Sequence, residues 1–335
     1  MSTAKIIKEN LLKSSTLGYG LMSFTWRATP IPIEQAVATM GTVMKTIPPQ
    51  SHIMFNVGEF YGEPLKNLKY CQTFLDTLSK QERARILVSV KGGVDLKTFA
   101  PRGSRADVRK SLDNCLTAMP YIDIFEVARL DEANWEETFE TIIEDYIKKG
   151  KVGACSLSEV TQEQIQKIHE KFGEYVVAAE LELSMFSQNI LKDGTAEYCN
   201  KIGLPIICYS PLGRGLLTGQ VKNTKDIPEG DFRKMLARFS DENMKHNSIL
   251  LRFLEKFVIP GERSLPQVAL AWIRKLPESK FPNTNFIPIP SGTTKERVTE
   301  NFTPKTLSSS EFEEINKFLE SFVTKGDRYE IASKK

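Results

Sequence analysis

Short runs of β-branched and apolar residues alternate along the chain with segments whose apolar residues recur at helical spacing. Eight such runs, each followed by sequence compatible with a helix, are Thr16–Gly20, Ile53–Asn56, Ile86–Val90, Ile122–Val127, Val152–Leu157, Val176–Leu181, Pro205–Tyr209 and Phe286–Ile289. Regular alternation of strand and helix is typical of βα units that build a parallel sheet. This number of units predicts an α/β fold in which the sheet closes into a (β/α)8 TIM barrel.

The helical pattern is strongest between the predicted strands and near the end of the chain. Apolar residues recur at helical spacing in Ser104–Met119, Trp135–Tyr146 and Ser308–Thr324, which predicts outer helices and a final packing helix. Thr161 followed by Gln164 matches a capping box, in which two side chains satisfy backbone N–H groups at a helix start. We therefore expect a helix directly after the fifth strand.

The stretch from Gly213 to Pro282 interrupts this alternation with a glycine-rich turn, charged sequence and two helix-like segments. We interpret it as an insertion after the seventh strand, at about residues 213–282, within a single barrel domain that spans residues 1–335. Such a loop lies at the carboxyl ends of the strands, where barrel enzymes place binding and catalysis. We expect it to shape the substrate mouth.

The charge balance and the cysteine pattern exclude several classes of function. The 45 Lys and Arg against 42 Asp and Glu leave a net charge of +3, too balanced for a protein that must neutralise several nucleic-acid phosphates. The first residues mix charges with apolar residues, unlike a signal peptide, and no run reaches the roughly 18 apolar residues of a membrane span. The five cysteines are far apart and lack metal-binding spacing. These features predict a cytoplasmic protein with reduced thiols, no metal and no nucleic-acid or membrane partner.

Two residues with complementary chemistry follow neighbouring strands. Tyr61 follows the second strand and Lys91 ends the third, so a barrel would bring both side chains to the same mouth. A tyrosine is a weak acid at neutral pH, and a neighbouring ammonium group lowers its pKa. Such a pair can protonate the oxygen of a carbonyl group that receives hydride. Taken singly, the tyrosine is also compatible with a turn anchor and the lysine with a solvated strand end.

The last predicted strand leads into a turn rich in Gly, Ser and Thr, Pro290–Thr294, and then into a helix start that contains Lys295 and Arg297. Backbone N–H groups at a helix start attract anions, and a guanidinium group can bind phosphate oxygens with two donors. The pattern indicates a phosphate site, and an ordinary capped helix is the alternative. No GxGxxG pattern follows a predicted strand, so a Rossmann domain is not expected.

Several motifs, in the same order along the chain, resemble those of the aldo-keto reductase superfamily. The pattern D-T-A-x-x-Y-G of that family is similar to Asn56–Gly62 here, and Lys91 matches its catalytic lysine. Further similar motifs are Gly150–Gly153, Tyr209–Gly213 and Pro290–Asn301. The resemblance extends from Leu17 to about Phe302. It implies the same barrel and a reduction of carbonyl compounds that depends on NADPH.

The resemblance also implies roles for individual residues. The catalytic group is Tyr61, as proton donor, with Lys91 and Asn56. The residues that match cofactor contacts are Gly20, Ser158, Glu180, Tyr209, Ser210, Leu212, Ser291, Thr293, Thr294, Arg297 and Asn301. Within this set Thr293, Thr294 and Arg297 match the region that binds the 2′-phosphate, which favours NADPH over NADH. Tyr209 matches the residue that stacks on the nicotinamide, and the substrate side is expected at Trp26, Ala128 and Arg129.

Four positions depart from the family pattern. Asn56 stands where an aspartate is expected, and Ala128 where a histidine is expected. Because an amide offers no charge to Lys91, we expect its ammonium to be less compensated and the pKa of Tyr61 to be lower. The missing histidine donor either weakens catalysis, by about 3 kcal/mol if it resembles an oxyanion donor, or is replaced by a group on the substrate. Glu180 and Glu159 replace a glutamine and an asparagine, and both are equally compatible with strand-end carboxylates that face water.

Two short patterns resemble the pyridoxal reductase branch of the superfamily, Gly58–Gly62 and Ala128–Asp131. This resemblance implies that the small-molecule substrate is an aldehyde, pyridoxal, which is reduced to pyridoxine. The phenolic hydroxyl beside the aldehyde of pyridoxal could supply the missing hydrogen bond. The alternatives are a general aldehyde or ketone reductase, a weakly active NADP-binding sensor or regulatory subunit, and a purely structural barrel. An ion pair between Arg129 and Asp131 is the alternative to a substrate contact for Arg129.

Overall fold

Eight parallel strands form the centre of the computed structural model, which describes residues 1–13 and 15–329. The strands are β1 Ser15–Gly20, β2 His52–Gly58, β3 Ile86–Gly92, β4 Ile122–Val127, β5 Val152–Ser158, β6 Val176–Glu182, β7 Ile206–Tyr209 and β8 Phe286–Pro288. Each strand pairs with the next one along the chain. The backbone N–H of Gly20 donates to the carbonyl of Pro290 at 3.3 Å, so β1 also adjoins the end of β8. The predicted (β/α)8 barrel is confirmed.

Helices surround the barrel and cover its outer face. They are α1 Thr3–Lys13, α2 Met22–Thr25, α3 Ile33–Thr46, α4 Lys66–Leu75, α5 Lys80–Arg83, α6 Arg105–Ala118, α7 Trp135–Ile142, α8 Gln162–Phe172, α9 Thr195–Ile202, α10 Asp241–Leu254, α11 Leu265–Ser279, α12 Lys295–Phe302 and α13 Ser309–Ser321. The capping box before α8 is confirmed, because Thr161 Oγ1 accepts from the N–H of Gln164 and Gln164 Oε1 accepts from that of Thr161. The final helix is shorter than predicted and ends at Ser321.

The first helix closes the amino-terminal end of the barrel. Ala4, Ile7 and Leu11 of α1 are buried and pack with apolar side chains from the barrel strands, among them Ile124 and Val177. This helix was not among the predicted elements, although Ala4, Ile7 and Leu11 recur at helical spacing. With that end filled, the carboxyl-terminal end, which we call the mouth, is left for a binding site.

The chain between β7 and β8 contains short 3-10 turns and then α10 and α11. The second of these helices packs against β8. The division into one domain with an insertion at 213–282 stays a prediction. In the described part of the chain no helix is long and apolar enough to cross a membrane. All five cysteines lie in that part, are buried and carry free thiols, as predicted.

Candidate active site

The mouth brings together the three residues that the sequence analysis assigned to catalysis. Asn56 lies within β2, Tyr61 follows that strand, and Lys91 lies near the end of β3. The Tyr61 hydroxyl donates to Asn56 Oδ1 at 3.3 Å. The Lys91 charge also acts on the ionisation of Tyr61. The structure thus places a buried phenol and a buried ammonium group in the same mouth, close enough for the charge of one to act on the other.

Two glycines allow Tyr61 to lie close to the backbone. A Cβ atom added to Gly58 would lie 2.7 Å from Tyr61 Cδ1, which is closer than real side chains approach. Gly62 has φ of +84°, and a Cβ atom there would lie 2.3 Å from the carbonyl oxygen of Thr25. Glycine alone combines this conformation with such a close approach. The local sequence therefore fixes the position of the phenol.

Lys91 is bound by two glutamates, and this corrects our expectation that its charge is poorly compensated. Its Nζ lies 2.6 Å from Glu180 Oε1 and 3.0 Å from Glu126 Oε1. Asn56 Nδ2 donates to the other oxygens of these carboxylates, at 3.1 Å for Glu126 and 2.6 Å for Glu180. The side chain that replaces the expected aspartate therefore links the two carboxylates instead of supplying a charge.

The positions of the two glutamates follow from the strand register. Lys91 on β3 is the direct neighbour of Glu126 on β4, and Glu180 reaches the same point from β6. Glu180 was assigned to the cofactor, with a water-facing carboxylate as the alternative. That alternative is wrong, because Glu180 is buried and both its oxygens accept hydrogen bonds, one from Lys91 and one from Asn56.

Glu126 was not among the predicted site residues. Its pairing with Lys91 in the strand register is a signal that could have identified it.

The pKa of Tyr61 is raised, not lowered as we expected. Burial is the largest cause of the raised pKa of this phenol, Lys91 partly offsets it, and the charges of Glu180 and Glu126 add to it. Burial also raises the pKa of Glu180 to about 8, and the neighbouring charge of Glu126 contributes. Burial acts to lower the pKa of Lys91, but the two carboxylates outweigh it and raise that pKa well above its ordinary value.

An aromatic wall, formed by Trp26, Phe60 and Phe99, lies beside Tyr61. The ring of Trp26 is 5.7 Å from that of Tyr61 and 5.6 Å from that of Phe99, tilted by about 30° in both cases. Trp26 and Phe99 are each 43% exposed, so the wall faces solvent rather than belonging to the core. Sequence reasoning missed Phe60 and Phe99, because their relation to Tyr61 depends on how two loops fold together. The wall can bind a flat ring by stacking.

The end of β4 differs from one of the two sequence interpretations of Arg129, the ion pair with Asp131, and the substrate contact stays a prediction. Ala128 is buried and offers no side-chain donor. Arg129 is exposed and donates to the carbonyl oxygen of Ala128 at 2.6 Å. The expected ion pair with Asp131 does not form, because that carboxylate accepts hydrogen bonds from the backbone of Gly103 and from Asn134.

A segment near the end of the chain, residues 322–329, covers one side of the mouth. Arg328 donates to Glu182 at 2.7 Å, to Glu159 at 2.6 Å and to the hydroxyl of Tyr209 at 2.7 Å. Tyr329 lies 2.9 Å from the same hydroxyl. Glu159 has φ of +53°, a conformation that asparagine adopts more easily than glutamate. The replacement of the expected asparagine thus coincides with an ion pair to a distant residue.

Additional contacts hold the 322–329 segment in place. Asn247 exchanges two hydrogen bonds with the backbone of Lys325, at 3.0 and 2.9 Å. Arg238 donates to the carbonyl oxygen of Gly326 at 3.0 Å, and Arg214 to that of Arg328 at 2.8 Å. The sequence analysis missed this segment, since no local pattern connects it to the strand ends.

The predicted cofactor contacts lie around the rest of the mouth. Ser158, at the end of β5, is fully buried, and its hydroxyl has no hydrogen-bond partner among the described residues. Tyr209 ends β7, with its ring 5.8 Å from the Lys91 ammonium. Ser210 follows at φ of +49°, and Leu212 is buried in the next turn.

The predicted phosphate site is a loop that leads into α12. Thr294 is the N-cap residue of that helix and accepts from the N–H of Arg297. Asn301 is buried and donates to the carbonyl oxygen of Ser291 at 3.1 Å. Gly20 adjoins this loop. The carbonyl oxygen of Thr293 accepts a hydrogen bond from the Gln35 side chain of α3 at 2.5 Å. Arg297 donates to Gln220 of the loop after β7. The site can offer N–H groups and a guanidinium group to an anion.

Comparison with known proteins identifies the family of this chain. A model of the aldo/keto reductase family matches residues 16–320. The chain is 48% identical to the "Putative pyridoxal reductase" of Saccharomyces cerevisiae, over 99% of this chain and 100% of that protein. It is 32% identical to the "Probable pyridoxal reductase 2" of Schizosaccharomyces pombe, over 96% of each.

Solved structures resemble the fold as well. A glycerol dehydrogenase from Gluconobacter oxydans matches with a TM-score of 0.76 and 18% identity over 91% of each chain. An aldo-keto reductase from Klebsiella pneumoniae, in complex with NADPH, matches with a TM-score of 0.66 and 17% identity over 93% of this chain and 94% of that one. These similarities concern the fold.

Because the family model covers most of the chain, the chain belongs to the aldo/keto reductase family. It is therefore an oxidoreductase of that family. The resemblance to the pyridoxal reductase branch is confirmed by the two relatives.

We expect Arg328→Ala to release the 322–329 segment from the mouth. The variant loses three hydrogen bonds to two carboxylates and a phenol, and bonds to charged groups contribute about 1.5–3 kcal/mol each. Hydrogen–deuterium exchange of the backbone of residues 322–329 should become at least about tenfold faster. The matched control is Arg102→Ala, which removes an exposed ion pair with Asp95 and should leave that exchange unchanged. Equal exchange in both variants would contradict the contacts described.

Proposed function

We propose that this protein reduces an aldehyde to an alcohol with NADPH, and that its substrate is pyridoxal, which becomes pyridoxine. The observation that carries the proposal is the connected group of Tyr61, Asn56 and Lys91 at the mouth. The two relatives named as pyridoxal reductases support the choice of substrate. The structural relative that binds NADPH supports the choice of cofactor.

The mouth offers groups that fit NADPH. The buried hydroxyl of Ser158 has no hydrogen-bond partner in the described part of the chain, and the carboxamide of nicotinamide could satisfy it, since buried polar groups are normally paired. Tyr209 would pack on the nicotinamide ring. Thr294 and Arg297 would hold the 2′-phosphate, and Asn301 the adenine. Bound there, NADPH supplies the hydride that the carbonyl carbon receives.

The protein's own contribution to the reaction is the proton. In this proposal Tyr61 O–H donates a hydrogen bond to the aldehyde oxygen and passes its proton to that atom as the oxygen gains negative charge. The Lys91 ammonium then stabilises the phenolate that remains, because the two charges are opposite and both are buried. Burial also keeps water from the phenol, so that the proton goes to the substrate.

The substrate would supply one hydrogen bond that the chain lacks. Ala128 stands where the family pattern has a donor, and its methyl group cannot polarise a carbonyl. Pyridoxal carries a phenolic hydroxyl beside its aldehyde, and this hydroxyl can donate to the aldehyde oxygen. The aromatic wall would hold the pyridine ring by stacking.

One observation favours a second candidate function. Burial and two carboxylates raise the pKa of Tyr61, which weakens it as an acid, and Ala128 removes a donor. A protein that binds NADP and turns over slowly, as a sensor or regulatory subunit, shares these features. A kcat below about 0.01 per second with every aldehyde, against the usual range of about 1–1000 per second, would favour the sensor.

Replacing the proton donor gives the first test. We expect Tyr61→Phe to lower kcat for pyridoxal by at least about 100-fold, because the phenyl ring keeps its place but has no proton to give. The dissociation constant of NADPH, measured by fluorescence titration, should change by less than about twofold. Tyr70→Phe, which alters a phenol bonded to the carbonyl oxygen of Ile31 away from this group, is the control. Retained turnover in Tyr61→Phe would remove Tyr61 from its role.

The cofactor preference depends on Arg297 in this proposal. Arg297→Ala should weaken NADPH binding by at least about tenfold and leave NADH binding almost unchanged, because only NADPH carries the phosphate that the guanidinium group pairs with. Lys295→Ala, on the exposed side of the same helix start, should change the ratio of the two dissociation constants much less. A ratio that stays constant in Arg297→Ala would contradict this assignment.

A pair of simple aldehydes tests the hydrogen bond supplied by the substrate. Salicylaldehyde has a hydroxyl beside its aldehyde, and benzaldehyde does not. We expect kcat/KM to be about tenfold higher for salicylaldehyde, which corresponds to one hydrogen bond of about 1.4 kcal/mol. Ala128→His should reduce that ratio, since it restores a donor in the protein. Equal kcat/KM values in the unmodified protein would favour the general aldehyde reductase.

A further inference from the structure

The charges of Lys91, Glu126 and Glu180 do not balance. Two carboxylates face one ammonium group, and the glutamates are 1% and 2% exposed. In the described part of the chain, no cation other than Lys91 forms an ion pair with either glutamate. With both carboxylates ionised, the barrel interior would hold one uncompensated negative charge. Such a charge is unfavourable in a dry interior, and a carboxyl group there commonly takes up a proton instead.

The groups packed around the two glutamates cannot supply the missing positive charge. The two glutamates face the neutral amide of Asn56 on β2 and the Tyr61 phenol in the loop after that strand. On β3, the Ser89 hydroxyl donates to Glu126 Oε2 at 3.1 Å. From β7, Cys208 and the Tyr209 ring lie nearby. Arg129, after β4, is exposed, donates to a backbone carbonyl and acts with its charge on the Tyr61 phenol, but it forms no ion pair with either glutamate in the described part of the chain.

The hydrogen bonds leave one carboxylate oxygen unsatisfied. Asn56 Nδ2 uses both its hydrogens, one for each carboxylate. Glu180 Oε1 accepts from Lys91, whereas the buried Glu126 Oε1 accepts no hydrogen bond from residues 1–13 or 15–329, although it lies 3.0 Å from that ammonium nitrogen. A proton carried by one carboxyl group and donated as an O–H to the other would remove the excess charge, because the two side chains lie close enough for a hydrogen bond between them.

We propose that Glu126 and Glu180 hold one proton between them at neutral pH, so that the pair and Lys91 together carry no net charge. The two glutamates are positioning residues in this assignment, because they act on the substrate only through Lys91 and Tyr61. They tune the phenol by setting how much negative charge lies behind it.

The titration of the pair gives the proposal a direction in pH. The pKa of Glu180 is raised by burial from 4.5 to about 8. The folded protein therefore keeps a proton that the unfolded chain releases, so the free energy of unfolding falls as the pH rises from about 4.5 to about 8. Above that window Glu180 is ionised, and its additional charge raises the pKa of Tyr61 further.

Infrared spectroscopy of the protein without substrate or cofactor tests the shared proton directly. Near neutral pH, the difference spectrum between the unmodified protein and Glu180→Gln should contain one protonated carboxyl C=O band that disappears as the pH passes about 8. Glu126→Gln should lose the same band, because a single carboxylate beside Lys91 stays ionised. Asn56→Asp adds a third carboxylate and should increase the band. A band that persists in either glutamine variant would overturn the proposal.

The kinetic consequence rests on the proposed function. For the unmodified protein, kcat for aldehyde reduction should fall to a lower plateau as the pH rises through about 8, because ionised Glu180 makes Tyr61 a weaker acid. In Glu180→Gln this fall should move to a higher pH. Asp123→Asn removes a buried carboxylate paired with Arg83 at the other end of the barrel and should keep the original profile.

The infrared test and the kinetic test can fail independently of each other. If the unmodified protein reduces no aldehyde, the proposed function is wrong, and the infrared band still decides the shared proton. If the protein is active, an unshifted pH profile in Glu180→Gln would overturn the influence of the pair on Tyr61. Circular dichroism of each variant verifies that it is folded, and Glu126→Gln repeats the test should Glu180→Gln fail to fold.

Discussion

A buried ammonium group is the constraint on which the rest of this site depends. Lys91 lies inside the barrel, where an unpaired charge is strongly unfavourable, so the surrounding strands must provide its counter-ions. They do so from β4 and β6, through Glu126 and Glu180. Asn56 then serves a different purpose from an aspartate at its position, since it donates one N–H to each carboxylate and joins them to the Tyr61 phenol. The negative charge has moved to other strands, and the connection between phenol and ammonium is kept.

The barrel makes this relocation possible. Side chains from different parallel strands point into one interior, so a charge removed from one strand can be replaced from another without a change of fold. The closed amino-terminal end, filled by α1, leaves the mouth as the place for chemistry. The loops around the mouth differ in the residues that they contribute. The aromatic wall forms one side, and the 322–329 segment, fixed by Arg328 to Glu159 and Glu182, forms the other.

This arrangement also explains why replacements that look independent in the sequence belong together. Asn56 and Glu180 each depart from the family pattern, and in the structure their side chains are hydrogen-bonded at 2.6 Å. Glu159 departs as well, and it pairs with Arg328. In each case one substitution removes or adds a charge, and a neighbour in space compensates.

The sequence by itself determined the barrel, the positions of its strands and the placement of Tyr61 and Lys91 at the ends of neighbouring strands, because strand and helix periodicity is local and the strand order places successive strand ends together. It also identified Asn56 and Ala128 as unusual. Only the tertiary structure decided which groups compensate Lys91, why the pKa of Tyr61 is raised, and that Arg328 reaches the mouth. Those contacts join residues that are far apart in the sequence. Lys91 and Glu180 are separated by 89 positions, and Glu182 and Arg328 by 146. No local pattern specifies such partners, since they depend on strand register and on how the end of the chain folds back over the barrel.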